Sequence, residues 1–166
     1  MRQGSKKSNK PTKVLVFGVF DLLHPGHKYF LQQASKQGQQ LIVVVARDKV
    51  VSKIKKLKPQ QNQVIRLRNV KKLPFVQAAR WGDKVRRHQY HMIKLIKPDI
   101  VCLGYDQRPN LKRVKQELRQ TGLNPKFIRL KSYQPHKFKS SLLKITDRKM
   151  SGLPSSYAEP SQKMTK

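Results

Sequence analysis

Short unbroken apolar runs alternate along this chain with longer stretches whose apolar residues return every three or four positions. Residues 14–17 (Val-Leu-Val-Phe) form the first run and are rich in β-branched side chains, which predicts a buried strand. Residues 26–37 place Tyr29, Phe30, Leu31 and Ala34 on one helical face, with Gly38 expected as the C-terminal cap. Residues 41–46 are continuously apolar, as in a parallel strand buried on both faces. Residues 47–63 are basic and interrupted by Pro59, predicting a mobile loop with a short helical part, and 64–73 have weak helical spacing. A third strand is expected at 75–79 and a helix at 84–97, facing inward through Val85, Met92, Ile93 and Ile96 and stopped by Pro98. Strands at 100–103 and 127–130 flank a helix at 111–120 with Leu111, Val114 and Leu118 inward, ending near Gly122. A short last helix is expected at 140–146.

Strands alternating with helices predict an α/β fold: a Rossmann-like, doubly wound, five-stranded parallel sheet in a single domain. Ligands of such sheets bind beyond the carboxyl ends of the strands. The domain is expected over 13–146, between a disordered basic arm at 1–12 and a disordered tail at 147–166.

Charge is the unusual feature. The chain has 166 residues, with 38 Lys and Arg against 8 Asp and Glu, a formal charge of +30. Spread along the chain, this charge predicts attraction to polyanions such as nucleic acid. The alternative is a heavily basic surface set by the organism or by recharging. The acids favour that alternative: Asp21, Asp48, Asp99 and Asp106 sit beside expected strand ends, whereas helix faces carry amides and cations. Aromatic residues do not interleave with the basic runs, so no base-stacking platform is apparent. No segment reads as membrane-spanning or as a secretory signal, and one cysteine forbids an internal disulfide; a cytoplasmic protein is expected.

The chemistry concentrates after the first strand, in Gly18-Val-Phe-Asp-Leu-Leu-His-Pro-Gly-His27. Gly18 permits a tight turn and ligand approach, and Pro25 presets a helix start. His24 and His27 flank Pro25 and Gly26 where free helix N–H groups attract anions, so both can face one phosphate. Capping histidines or metal ligands are the other readings. A zinc site would need about four ligands, and Cys102 is the chain's 1 cysteine; no metal site is expected.

This segment closely resembles the GxFDxxHxGH signature of the nucleotidyltransferase superfamily that includes cytidylyltransferases. Val43-Val-Val-Ala-Arg-Asp48, Leu103-Gly-Tyr-Asp-Gln107 and Lys139-Ser-Ser-Leu-Leu-Lys-Ile145 extend the resemblance towards the archaeal-type FAD synthase branch, with glycerol-3-phosphate cytidylyltransferase as the near relative. The resemblance implies transfer of AMP from ATP to FMN with release of pyrophosphate. It implies Mg²⁺ carried mainly by substrate phosphates. Transfer from CTP to glycerol 3-phosphate or another small phosphorylated acceptor is the alternative. A non-catalytic polyanion-binding protein on the same fold is the third reading. The resemblance also implies a homodimer, against which the net charge works.

The resemblance assigns triphosphate contacts to His24 and His27, and backbone contacts to Gly18, Val19 and Phe20, with room beside the phosphates at Pro25 and Gly26. Val19 stands where many relatives have threonine. Asp21 is expected to brace the loop. Asp106 matches a nucleotide-contacting acid or, alternatively, caps the next helix. Tyr133 matches an aromatic near the nucleotide. Ser140 and Ser141 match a phosphate-binding serine pair, compatible with N-capping. Among Lys53, Lys55, Lys56 and Lys58, the expected phosphate-binding cation is Lys55 or Lys56. Arg66 matches a family arginine. The tryptophan stretch and the Arg-Thr-Glu-Gly segment of the glycerol-3-phosphate branch are missing, which favours ATP and FMN.

Overall fold

The computed structural model describes residues 10–55, 58–84 and 89–133. The expected arm falls almost entirely outside them, as do the expected last helix and tail. Five strands form one all-parallel sheet: β1 (Lys13–Gly18), β2 (Gln40–Val45), β3 (Ala78–Trp81), β4 (Ile100–Leu103) and β5 (Lys126–Arg129). Their order across the sheet is β3-β2-β1-β4-β5. The chain moves outward from β1 through β2 to β3, then returns to pair β4 with the other side of β1. This reversal makes the carboxyl ends of β1 and β4 the switch point, where a crevice opens in such sheets.

Alternation along β1 builds two cores. Val14 and Val16 face the layer of α1 (Pro25–Ser35) and α3 (Gln63–Lys71), packing with Leu31, Ala34 and Val70. Leu15 faces α4 (Gln89–Ile96) and α5 (Leu111–Arg119), packing with Met92, Ile93, Val114 and Leu118. The doubly wound prediction therefore holds. Between β2 and α3 lies α2 (Asp48–Lys55), the helical part expected within the basic loop. The 84–97 helix is described only as α4, because 85–88 lie outside the described residues. Cys102 is buried, and burial pushes its thiol up to about 11, so it is an inert core residue.

Several local expectations change. The third strand lies at Ala78–Trp81, later than 75–79, because its ladder pairs Ile42 with Ala78 through Val45 with Trp81. Phe75 and Val76 still pack on the core, but from the turn before the strand. Gly38 is not the cap of α1; Lys36 takes that position with ordinary right-handed φ. Glycine is required at 38 by space, since a Cβ there would lie 2.8 Å from the Thr12 carbonyl oxygen. Gly122 does end α5 as expected, at φ 71°, with the Leu123 N–H returning to the Leu118 carbonyl. Asp99 sits beside a strand end as expected, directly before β4. It lies at the amino edge of the sheet, where its carboxylate accepts the Lys13 N–H at 2.7 Å, far from the crevice.

Candidate active site

The turn from β1 into α1 forms the centre of the crevice. Phe20 and Leu22 both take left-handed φ, 53° and 50°, which non-glycine residues adopt only where surrounding contacts impose it. The Phe20 ring is buried and folds back on Gly18, where an added Cβ would lie 2.5 Å from Phe20 Cζ. Gly18 therefore makes room for the Phe20 ring. Asp21 is buried, and its two carboxylate oxygens accept the N–H groups of Gln60 and Gln61, each at 3.0 Å. It braces the turn against the loop after α2, as expected.

Arg66 holds the same turn from below. Its side chain is fully buried on α3. Its guanidinium donates to the carbonyls of Val19, Gln61 and Ala46 and to the Asp48 carboxylate, the last two at 2.7 Å. Asp48 in turn accepts the Gln63 N–H at 3.0 Å, while Gln63 Oε1 accepts the Asp48 N–H at 3.1 Å. One buried cation thus joins the ends of β1 and β2 to the starts of α2 and α3. The Val19 carbonyl is committed to this network.

His24 is the N-cap of α1, with Pro25 at the first helical position and Gly26 in the first turn. Its carbonyl accepts the His27 N–H at 2.9 Å and the Lys28 N–H at 3.2 Å. Its Nδ1 also accepts from the His27 N–H, at 3.3 Å. A neutral ring that accepts at Nδ1 carries its proton on Nε2. Burial lowers the His24 pKa below its ordinary value, favouring that neutral form. The two imidazoles stack at 3.7 Å, and Phe20 meets His27 edge-on at 5.4 Å. The stack sits at the positive end of the helix dipole, an arrangement suited to anionic oxygens.

The β4 exit supplies the second wall. Gln107 ties it to β1, accepting the Gly104 N–H at 3.0 Å and donating to the Phe17 carbonyl at 2.8 Å. Arg129, the last residue of β5, donates to the carbonyls of Gly104 and Gln107 at 2.8 and 2.6 Å. Asp106 is exposed on this loop. Burial, and secondly the Asp106 charge, raise the Tyr105 phenol. Beyond β5, Gln33 of α1 donates to the Lys131 carbonyl at 2.9 Å, and Tyr133 lies 5.0 Å from the ring of Tyr29. The fold therefore brings Gly18, Val19, Phe20, Pro25, Gly26, both histidines, Asp106 and Tyr133 to the switch-point end of the sheet. Lys55 closes α2; Lys56, Ser140 and Ser141 lie outside the described residues. Among the described residues, no group of three or more His, Cys, Asp or Glu could hold a metal ion.

The contacts of Gln107 with Phe17, of Arg129 with the 104–107 loop and of Tyr29 with Tyr133 escape sequence reading because they join distant segments. Arg66 carried a usable signal: it falls on the inward face of α3, four residues before the buried Val70. Arg129→Met is expected to raise the KM for the nucleotide that the sequence resemblance implies, about tenfold, through the freed 104–107 loop, with little change in Tm. Steady-state kinetics beside a thermal melt test this.

The model of the cytidylyltransferase-like family matches residues 15–145. A protein described as FAD synthase from Aciduliprofundum boonei is 41% identical over 139 residues, covering 82% of this chain and 91% of its own. Another so described, from Methanosarcina barkeri, is 43% identical over 119 residues, covering 72% and 83%. Among solved structures, a lipopolysaccharide core biosynthesis protein from Thermoplasma volcanium superposes with a TM-score of 0.69 at 31% identity, covering 75% of this chain and 100% of the other.

Proposed function

The chain belongs to the cytidylyltransferase-like family, and from that premise we propose that it is an FAD synthase, a nucleotidyltransferase that moves AMP from MgATP to FMN. The observation carrying this reading is the stacked His24–His27 pair at the start of α1, in a chain about 40% identical to archaeal FAD synthases over most of its length.

The reaction requires alignment and charge neutralisation more than a protein nucleophile. A phosphate oxygen of FMN forms a bond to the α-phosphorus of ATP. The bond from that phosphorus to the bridging oxygen of the β-phosphate breaks, and its electron pair leaves on pyrophosphate. Mg²⁺ held on the triphosphate oxygens would supply charge neutralisation there; the imidazoles of His24 and His27, with no cluster of carboxylates among the described residues, fit a metal that the substrate would carry. His24 Nε2–H, the His27 ring and the Gly26 N–H donate to oxygens that gain charge as the new bond forms. Asp106 and Tyr133 contact the nucleoside end, and Lys55 or Lys56 with Ser140 and Ser141 complete the phosphate contacts. No helix among the described residues is long and apolar enough to cross a membrane.

The test is pyrophosphate release at moderate salt with Mg²⁺, crossing ATP and CTP against FMN and glycerol 3-phosphate. Release with ATP and FMN, and FAD on chromatography, is expected. Release with CTP alone would overturn the assignment, and salt-sensitive binding to DNA without turnover would replace it with polyanion binding.

A further inference from the structure

A second cleft opens beside the phosphate site, at the carboxyl ends of β2 and β3. It is an open cleft of about 490 Å³ whose lining includes Arg47, Arg80, Trp81, Lys84 and Leu95, together with the carboxylate of Asp83. That volume suits a ligand of cofactor size. Its floor and walls are unusual for a protein surface. Trp81 ends the edge strand with its side chain 37% exposed, and Leu95 on α4 is 58% exposed. The guanidinium of Arg47 lies 5.3 Å from the Trp81 ring centroid, and its Nε donates to the Gly82 carbonyl at 2.8 Å. Arg47 is thereby held against the indole rather than left free in solvent.

We infer that this cleft seats the isoalloxazine ring of the acceptor, an inference that rests on the FMN reading above. A flat apolar indole offers a stacking surface to a planar ring system. The cations Arg47, Arg80 and Lys84 around it suit the ring's electron-rich carbonyl edge. The position also suits the reaction. Trp81 on β3 and the turn after β1 are two strand spacings apart, about 10 Å. A ribityl chain spans a distance of that order, so a flavin ring on Trp81 places its phosphate at His24 and His27. Asp106 and Tyr133 lie on the opposite side of those histidines, leaving the nucleoside end of ATP on the β4 side. The reacting phosphates then meet between the two rings.

Trp81 is the chain's 1 tryptophan, so its contact with a flavin can be read directly. Flavin emission is expected to be quenched when FMN or riboflavin saturates the full-length protein, because a stacked indole quenches by contact. Trp81→Leu is expected to raise the KM for FMN at least tenfold with the KM for ATP unchanged, and to leave bound flavin emissive. Trp81→Phe is expected to restore most of the affinity. Leu95→Glu, at an exposed wall position, provides a second variant and is expected to raise the FMN KM several-fold. FAD formation by Trp81→Leu with a wild-type FMN KM would overturn the cleft assignment while leaving the reaction in place. Displacement of riboflavin by adenosine would overturn it too, by giving the cleft to the donor. Riboflavin quenching that is lost in Trp81→Leu, with no FAD formed by the wild type, would support the cleft and refute the reaction.

Discussion

Replacing both His24 and His27 by alanine is expected to lower kcat for pyrophosphate release by at least about 10³-fold, while the protein remains folded. Loss of a single preorganised donor in a transition-state site typically costs roughly 10²–10³ in rate. The double loss is expected to be less than the product of the singles, because the rings are stacked and, in the proposed reaction, serve one phosphate group. The fold should survive because the His24 carbonyl, which remains in the variant, accepts the N–H groups of His27 and Lys28. The Nδ1 cap, the ring stack and the Phe20 edge contact go with the imidazoles, a loss of roughly 1–3 kcal/mol. Circular dichroism and urea unfolding would separate this outcome from collapse. Activity within tenfold of wild type would remove the histidines from the chemistry.

The same pair sets a pH dependence. Burial lowers the His24 pKa in the fold, so the unfolded chain binds its proton more readily than the folded one. Stability from this group is therefore complete above the unfolded value of about 6.5 and is lost as pH falls through the lower folded value. Protonation at Nδ1 also removes the acceptor used by the His27 N–H. Activity is expected to fall on the acid side in the same window. A pH–rate profile of the wild type beside His24→Asn tests this, since the variant should lose that acid limb.

The largest stability effect is expected at Arg66. Arg66→Met leaves the carbonyls of Val19, Gln61 and Ala46 and the Asp48 carboxylate without their guanidinium partner. Breaking a buried pair by removing one member typically costs about 3–5 kcal/mol. Asp48 is 38% exposed and regains some hydration, which places the expected loss near the lower end of that range. Arg66→Lys is expected to recover little, because an ammonium cannot direct several N–H groups along a rigid fork. The measurement is the urea midpoint with an unchanged slope. Activity should fall further than stability alone explains, because Arg66 also positions the Val19–Phe20 turn that carries the left-handed backbone.

These two sites differ in how far the sequence discloses them. The histidines belong to one short segment in which glycine, proline and helix start stand in order, so local geometry places them without reference to the rest of the chain. The network around Arg66 joins four segments, and the sequence discloses only that residue 66 matches a family arginine. Gly18 illustrates the converse. Its identity is plain in the sequence, but what it accommodates is the Phe20 ring, a contact set by an uncommon backbone turn.

The sequence by itself determined the alternation of strands and helices, the burial of β1 and β2, the end of α5 at Gly122 and the start of α1 at Pro25 between the two histidines. Each of these follows from steric preferences and periodicities that act within a few residues. Tertiary structure decided the strand order, the register that moved β3 to Ala78–Trp81, and the placing of Asp99 at the far edge of the sheet. It also brought Arg129 to the 104–107 loop and Arg47 to Trp81. Such pairings depend on which distant segments the packed sheet makes neighbours, and that choice is made by the burial of both faces together rather than by any local stretch of chain.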